Sequence, residues 1–158
     1  MMDPRSETRL AGVRTGLQEV VRLAHEGMPV DGVSFVVTEG QRTAARQAEL
    51  FASGASQTMN SRHLTGHAVD LMATVGGPKG GRWELNLYYK LALAMRQASA
   101  ALGVPVVWGG CWEPLASLGD TEDAMAEAVA AYVARCKAAG RRPLVDGPHF
   151  ELDRKVYA

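Results

Sequence analysis

Two short stretches hold the residue types that hydrolytic chemistry needs. Ser61-Arg62-His63-Leu64-Thr65-Gly66-His67-Ala68-Val69-Asp70 sets a histidine and a carboxylate seven positions apart, with a glycine between them, at the entrance to an apolar run. Asp146-Gly147-Pro148-His149-Phe150-Glu151-Leu152 adds a further imidazole and further carboxylates. Three of the four histidines fall in these two stretches. Two imidazoles, one carboxylate and a spare carboxylate make up the inventory of a catalytic zinc site: three protein ligands, one open position and one general base.

The residues themselves leave choices open. His63 and Asp70 converge if a turn at Gly66 folds the segment back. His67 is a rival ligand, because His63 and His67 would share a face on a helix. Gly66 and the β-branched Val69 argue against that helix, and Leu64 stands where a helical zinc motif needs its glutamate. Asp70 lies inside the apolar run Ala68–Met72, which is expensive unless the carboxylate is paired or bound to metal. His149 supplies the third ligand. Asp146 is then free to act as base, with Glu151 as its rival on the same strand face as His149. Arg42 falls where a strand turns into a helix, and its planar fork suits a carboxylate partner. Position alone favours an ordinary solvated arginine there.

The elements that must place these residues follow from periodicity. An amphipathic helix is predicted over about 7–25, with Leu10, Val13, Leu17, Val20, Val21 and Ala24 on one face and His25 as a surface histidine at its end. A strand is predicted over 33–38, then a helix capped by Thr43 and running to about Ala52. Residues 54–61 read as a loop. Residues 68–72 read as a short strand with Asp70 on one face and Val69 and Leu71 on the other. A turn at 76–81 leads to a helix over about 84–102 that Gly103 ends. A strand over 104–108 follows, then a helix over 120–139 capped by Asp120 and closed by Gly140. The last strand, 148–152, places His149 and Glu151 on one face and Phe150 and Leu152 on the other.

Composition narrows the class. A chain of 158 residues fits one domain, and the whole length is read as such. Lys plus Arg equals Asp plus Glu at 17 each, which speaks against a nucleic-acid partner. Two cysteines, Cys111 and Cys136, make no disulfide framework. The polar N-terminus carries no apolar signal-peptide core, and no run has the length of a membrane span. The expectation is a protein made in the cytoplasm.

Ser61, His63, Gly66, Ala68 and Asp70, together with Asp146 and His149, resemble the motifs of the M15-type zinc peptidases of peptidoglycan. That family includes VanY-like D-Ala-D-Ala carboxypeptidases and phage L-alanyl-D-glutamate endopeptidase endolysins. The resemblance extends through Glu39–Thr43, Leu50–Ser56, Trp108–Gly110 and His149–Leu152, from about residue 30 to 152. It implies one zinc ion held by His63, Asp70 and His149, a catalytic carboxylate at Asp146, and substrate contacts from Arg42 and Ser61. His67 falls on a variable motif position. The implied fold is a small α+β domain, an antiparallel sheet with packed helices, similar to the Hedgehog and D-Ala-D-Ala peptidase domains.

Two departures stand out. Many endolysin relatives read Trp-Gly-Gly-Asp-Trp, and here Cys111 replaces the aspartate, as a buried free thiol or, less readily, a fourth ligand. A helical insertion over about 113–145 separates Trp112 from Asp146. The implied function is a zinc-dependent hydrolase of peptidoglycan stem peptides, acting as a monomer. The lack of an export signal favours a phage or prophage endolysin, released through holin pores, that cuts L-Ala–D-Glu. A D-Ala-D-Ala carboxypeptidase with the same site and a non-catalytic zinc-containing binding module are the alternatives.

Overall fold

The computed structural model describes residues 2–158. Six strands form one antiparallel sheet: β1 (Val33–Glu39), β2 (Ala68–Val75), β3 (Gly81–Arg82), β4 (Val106–Trp108), β5 (Glu113–Pro114) and β6 (His149–Leu152). Their order is β1-β2-β6-β4-β5, with β3 paired to the far part of β2. Five helices accompany the sheet: α1 (Pro4–Leu10), α2 (Thr15–Glu26), α3 (Ala44–Ala52), α4 (Leu85–Leu102) and α5 (Glu122–Ala138). This is the α+β arrangement that the resemblance implies. No helix among the described residues is long and apolar enough to cross a membrane.

Strand alternation divides the sheet into two faces. Val69, Leu71 and Ala73 of β2 and Phe150 and Leu152 of β6 enter the core. There they meet Leu17, Val20 and Val21 of α2 and Leu91 and Met95 of α4. The alternate residues, Asp70 of β2 and His149 of β6, point the other way, as the period of two requires. Trp108 is fully buried, and its indole N–H donates to the Gly147 carbonyl at 2.8 Å. That bond ties the core to the loop that carries Asp146.

Several boundaries differ from the sequence reading. The helix expected over 7–25 is two helices, because the chain turns at residues 11–14. Arg14 N–H donates to the Gly66 carbonyl at 2.9 Å, so the break is where the N-terminal segment grips the histidine turn. His25 is half-buried with its ring edge-on to Phe35, centroids 5.1 Å apart, rather than at the surface. α5 is capped by Thr121, not Asp120, with the Thr121 hydroxyl accepting from Ala124 N–H at 3.0 Å. β2 runs three residues beyond the expected end, to Val75, because β1 pairs with it as far as Val33. β4 begins at Val106 rather than at residue 104. β3 and β5, two residues each, are too short to leave a periodic signal.

Candidate active site

Strand register gathers the site. Asp70 of β2 is paired across the sheet with His149 of β6 on one side and with Glu39 of β1 on the other. A bulge in β1 between Val37 and Glu39 makes this row possible. The extra residue puts Glu39, rather than Thr38, opposite Asp70. The three side chains then share one face.

His63 reaches the same place from a loop. Ser61 caps a single 3₁₀ turn, Arg62–Thr65, its hydroxyl accepting from the His63 N–H at 3.2 Å. Gly66 ends the turn at φ 73°, a left-handed conformation that favours glycine, and the chain reverses into β2. A Cβ at Gly66 would also lie 2.5 Å from the Gly12 carbonyl oxygen. The predicted fold-back of His63 onto Asp70 is therefore what the chain does.

One carboxylate oxygen joins the two imidazoles. Asp70 Oδ1 is 3.2 Å from His63 Nε2 and 3.2 Å from His149 Nδ1. One ligand atom from each of the three side chains lies within 4.8 Å of the others. The remaining ring nitrogens are engaged behind them. His63 Nδ1 is 2.9 Å from the Gly40 carbonyl, and His149 Nε2 is 2.9 Å from Glu151 Oε1. Each partner fixes the ring so that the inward nitrogen is the one left for a metal. Two imidazoles and one carboxylate, aimed at a common point beside an open cleft, fit a zinc-type centre with a free coordination position.

Electrostatics agree with that geometry. Burial alone would raise the Asp70 pKa, but hydrogen bonds from His149 and His63 hold it well below the usual carboxylate range. For His149, burial opposes the charged form, yet its bonds to Asp70 and Glu151 push the pKa up to about 9. Asp146 moves the opposite way to Asp70. Burial raises its pKa first, and the nearby Asp70 charge raises it further. A carboxylate that resists ionisation beside one that favours it is the pairing expected of a proton acceptor next to a ligand.

The cleft above the three side chains has a volume of about 560 Å³. Arg42, Ser61, Trp112, Leu144 and Asp146 line it. Asp146 is held by its own backbone: its N–H donates to the Gly109 carbonyl at 2.9 Å and its carbonyl accepts from His149 N–H at 3.1 Å. Gly109 has to be glycine, since a Cβ there would lie 2.5 Å from the Asp146 carbonyl oxygen.

Arg42 is not a solvated arginine. Its side chain is 8% exposed. Nε donates to Glu39 Oε1 at 2.6 Å, and Nη1 donates to Gln47 Oε1 at 2.7 Å and to Ser61 Oγ at 3.5 Å. Nη2 lies 4.0 Å from Asp70 Oδ2. The guanidinium is thus clamped on two edges, leaving Nη2 beside Asp70 in the cleft floor. Gln47, fully buried, links Arg42 to the cleft rim through Ser56 Oγ at 2.8 Å and the Thr58 carbonyl.

Other candidates lie elsewhere. His67 bonds through Nδ1 to the Thr65 hydroxyl at 2.6 Å and is not one of the three convergent side chains. Glu151 is turned away from the cleft floor, toward His149 Nε2 and the guanidiniums of Arg62 and Arg154. Its rivalry with Asp146 as base finds no support in that geometry. Cys111 is a free thiol buried in the core. Glu39 and Gln47, which hold Arg42, were not legible as site residues: Glu39 needed the bulge, and Gln47 is an ordinary helix former at a helical position.

The fold and the site define a class, and known proteins agree with it. The family profile of the phage L-alanyl-D-glutamate peptidase matches residues 1–130. The L-alanyl-D-glutamate peptidase of Escherichia phage T5 is 31% identical over 150 residues, covering 93% of each chain. The peptidase of the same name from Listeria phage A118 is 34% identical over 82 residues, 52% of this chain and 27% of its own. Among solved structures, the Serratia marcescens L-Ala D-Glu endopeptidase ChiX superposes with a TM-score of 0.72 at 38% identity, covering 98% of this chain and 90% of its own. The chain belongs to the phage L-alanyl-D-glutamate peptidase family.

Proposed function

We propose that the protein is a zinc-dependent endopeptidase that hydrolyses the L-Ala–D-Glu bond of peptidoglycan stem peptides. The observation that carries this is the convergence of His63, Asp70 and His149 on one point at the floor of a cleft that Asp146 and Arg42 also line. The printed names of the T5, A118 and Serratia relatives support the choice of bond.

His63 Nε2, Asp70 and His149 Nδ1 would hold one zinc ion. When bound there, zinc supplies a Lewis acid that activates water and polarises the scissile carbonyl. Asp146 accepts the proton of the attacking water and passes it to the leaving amine. Its raised pKa suits the first half of that task, because a more basic carboxylate takes a proton more readily. Arg42, with Glu39 and Gln47 holding its fork, directs Nη2 toward a substrate carboxylate and fixes the peptide's register. Ser61 meets the substrate at the cleft surface while holding both His63 and Arg42 from below. The protein acts as a monomeric endolysin on the cell wall, which it reaches through holin pores. The phage origin of two relatives supports that setting.

Digestion of purified peptidoglycan, read by mass spectrometry, tests the reading. New L-Ala C-termini that vanish with chelator and return with zinc are expected. Released free D-Ala would make the protein a carboxypeptidase with the same site. No cleavage by folded, zinc-loaded protein would favour a binding module.

A further inference from the structure

Between α5 and β6 the chain has no helix or strand, yet one residue of this loop is held on both sides of its backbone. Leu144 N–H donates to the Tyr132 hydroxyl at 3.0 Å, and the Leu144 carbonyl accepts from the Trp112 indole N–H at 2.8 Å. Two side chains from separate parts of the fold thus do for Leu144 what a neighbouring strand would otherwise do. Two residues on, Asp146 is fixed by Gly109. Leu144 is left 47% exposed, and it lines the cleft.

Trp112 is itself unusual. It has φ 57°, a left-handed conformation that is costly for a bulky side chain and that persists only where surrounding contacts enforce it. The conformation is set where the indole both reaches Leu144 and covers His149, with ring centroids 5.3 Å apart and planes at 42°. Trp112 also borders a second cavity of about 330 Å³, so it lines both that cavity and the cleft.

We propose that Tyr132 and Trp112 clamp the Leu144 backbone so that Trp112 and Leu144 form a rigid apolar wall for the aliphatic part of the stem peptide beside the scissile bond. Tyr132 is a positioning residue that acts through Leu144; Trp112 and Leu144 determine specificity. This assigns a task to α5: it carries Tyr132, and its Met125 and Val129 anchor it in the core. The inference rests on the endopeptidase reading and deepens it.

The test uses the full chain and three variants: Tyr132→Phe, Trp112→Phe and the double variant. Tyr132→Phe removes one hydroxyl and leaves the ring packing intact. Hydrogen exchange over residues 142–146 should be slow in the parent and faster in Tyr132→Phe, with zinc content unchanged. On a soluble muropeptide, KM should rise about three- to tenfold with kcat held within about twofold, the size of one lost neutral hydrogen bond expressed as binding. Trp112→Phe should also speed exchange over this segment and raise KM at least as much, and the double variant should be no worse than about Trp112→Phe alone, because both bonds fix one backbone segment. Unchanged exchange in Tyr132→Phe overturns the clamp whether or not the protein is active. Faster exchange with unchanged KM, or a loss confined to kcat and zinc content, overturns the wall. A parent that exchanges as expected but cleaves nothing overturns the endopeptidase reading instead.

Discussion

Glu151 Oε1 lies 2.9 Å from Nε2 of His149, while the ring's other nitrogen faces Asp70. The pair is 8% and 10% exposed at its side chains, and Arg62 and Arg154 flank the carboxylate. A buried carboxylate behind a ligand imidazole orients the ring and raises its basicity. Glu151→Gln keeps the shape and removes the charge. Metal affinity should fall about tenfold or more, measured by competition with a chromophoric chelator. Undiminished affinity would show that the Gly40 and Asp70 contacts alone set the site.

Arg42 offers a second test. Its fork binds Glu39 on one edge and Gln47 and Ser61 on another. An ammonium is a point charge and cannot span those partners while presenting a further donor to the cleft. Arg42→Lys should lower kcat/KM on the order of tenfold or more, the size of one charge-assisted hydrogen bond, with zinc content unchanged. Equal turnover by both proteins would remove Arg42 from substrate recognition.

Metal removal should reshape the pH dependence of stability. In the metal-free protein, His149 is raised from 6.5 to about 9, so its contribution is complete below pH 6.5 and is lost as pH rises toward 9. Asp70 is lowered from 3.8, so its contribution is present above that pH and is lost on acidification. The chelated protein should therefore be most stable between those limits. Zinc needs neutral imidazoles and binds better as pH rises. The gap in Tm between zinc-loaded and chelated protein should widen from pH 6 to pH 9, measured by differential scanning fluorimetry. A constant gap would contradict the ligand assignment.

Trp108 joins the core to the loop that carries Asp146. It is fully buried, stacks near Phe150 with centroids 6.5 Å apart, and donates to the Gly147 carbonyl. Trp108→Phe leaves that carbonyl without its donor and opens a small cavity. Unfolding free energy should fall by about 1–3 kcal/mol. Urea denaturation reads this directly, and an unchanged midpoint would show that the Gly147 carbonyl finds another partner.

Much of the site could be read in the sequence because its spacing carries its geometry. Gly66 announced a reversal, and an aspartate in an apolar strand announced a partner. The alternation in 148–152 placed His149 opposite Phe150, as the sheet does. What escaped the sequence depends on long-range register. Nothing local says that a bulge at residues 37–39 brings Glu39 beside Asp70, or that Glu151 faces His149 instead of the cleft floor. The break at residues 11–14 was hidden because Leu10, Val13 and Leu17 keep helical spacing across it, while the contacts that hold it, such as Arg14 N–H to the Gly66 carbonyl, are long-range. Tyr132 reads as one more apolar position of α5, since its partner is a backbone amide twelve residues away.

The central assignment separates a metal-holding trio from a proton-handling carboxylate, and Asp146→Asn tests that separation most directly. Zinc content and the formation of new L-Ala C-termini should be measured on the same preparation. One zinc per chain with turnover lowered by about 10²–10⁴ is the expected result, the usual size of a lost general base. Loss of the zinc would make Asp146 a ligand, and retained turnover would give the base to another residue; either contradicts the assignment.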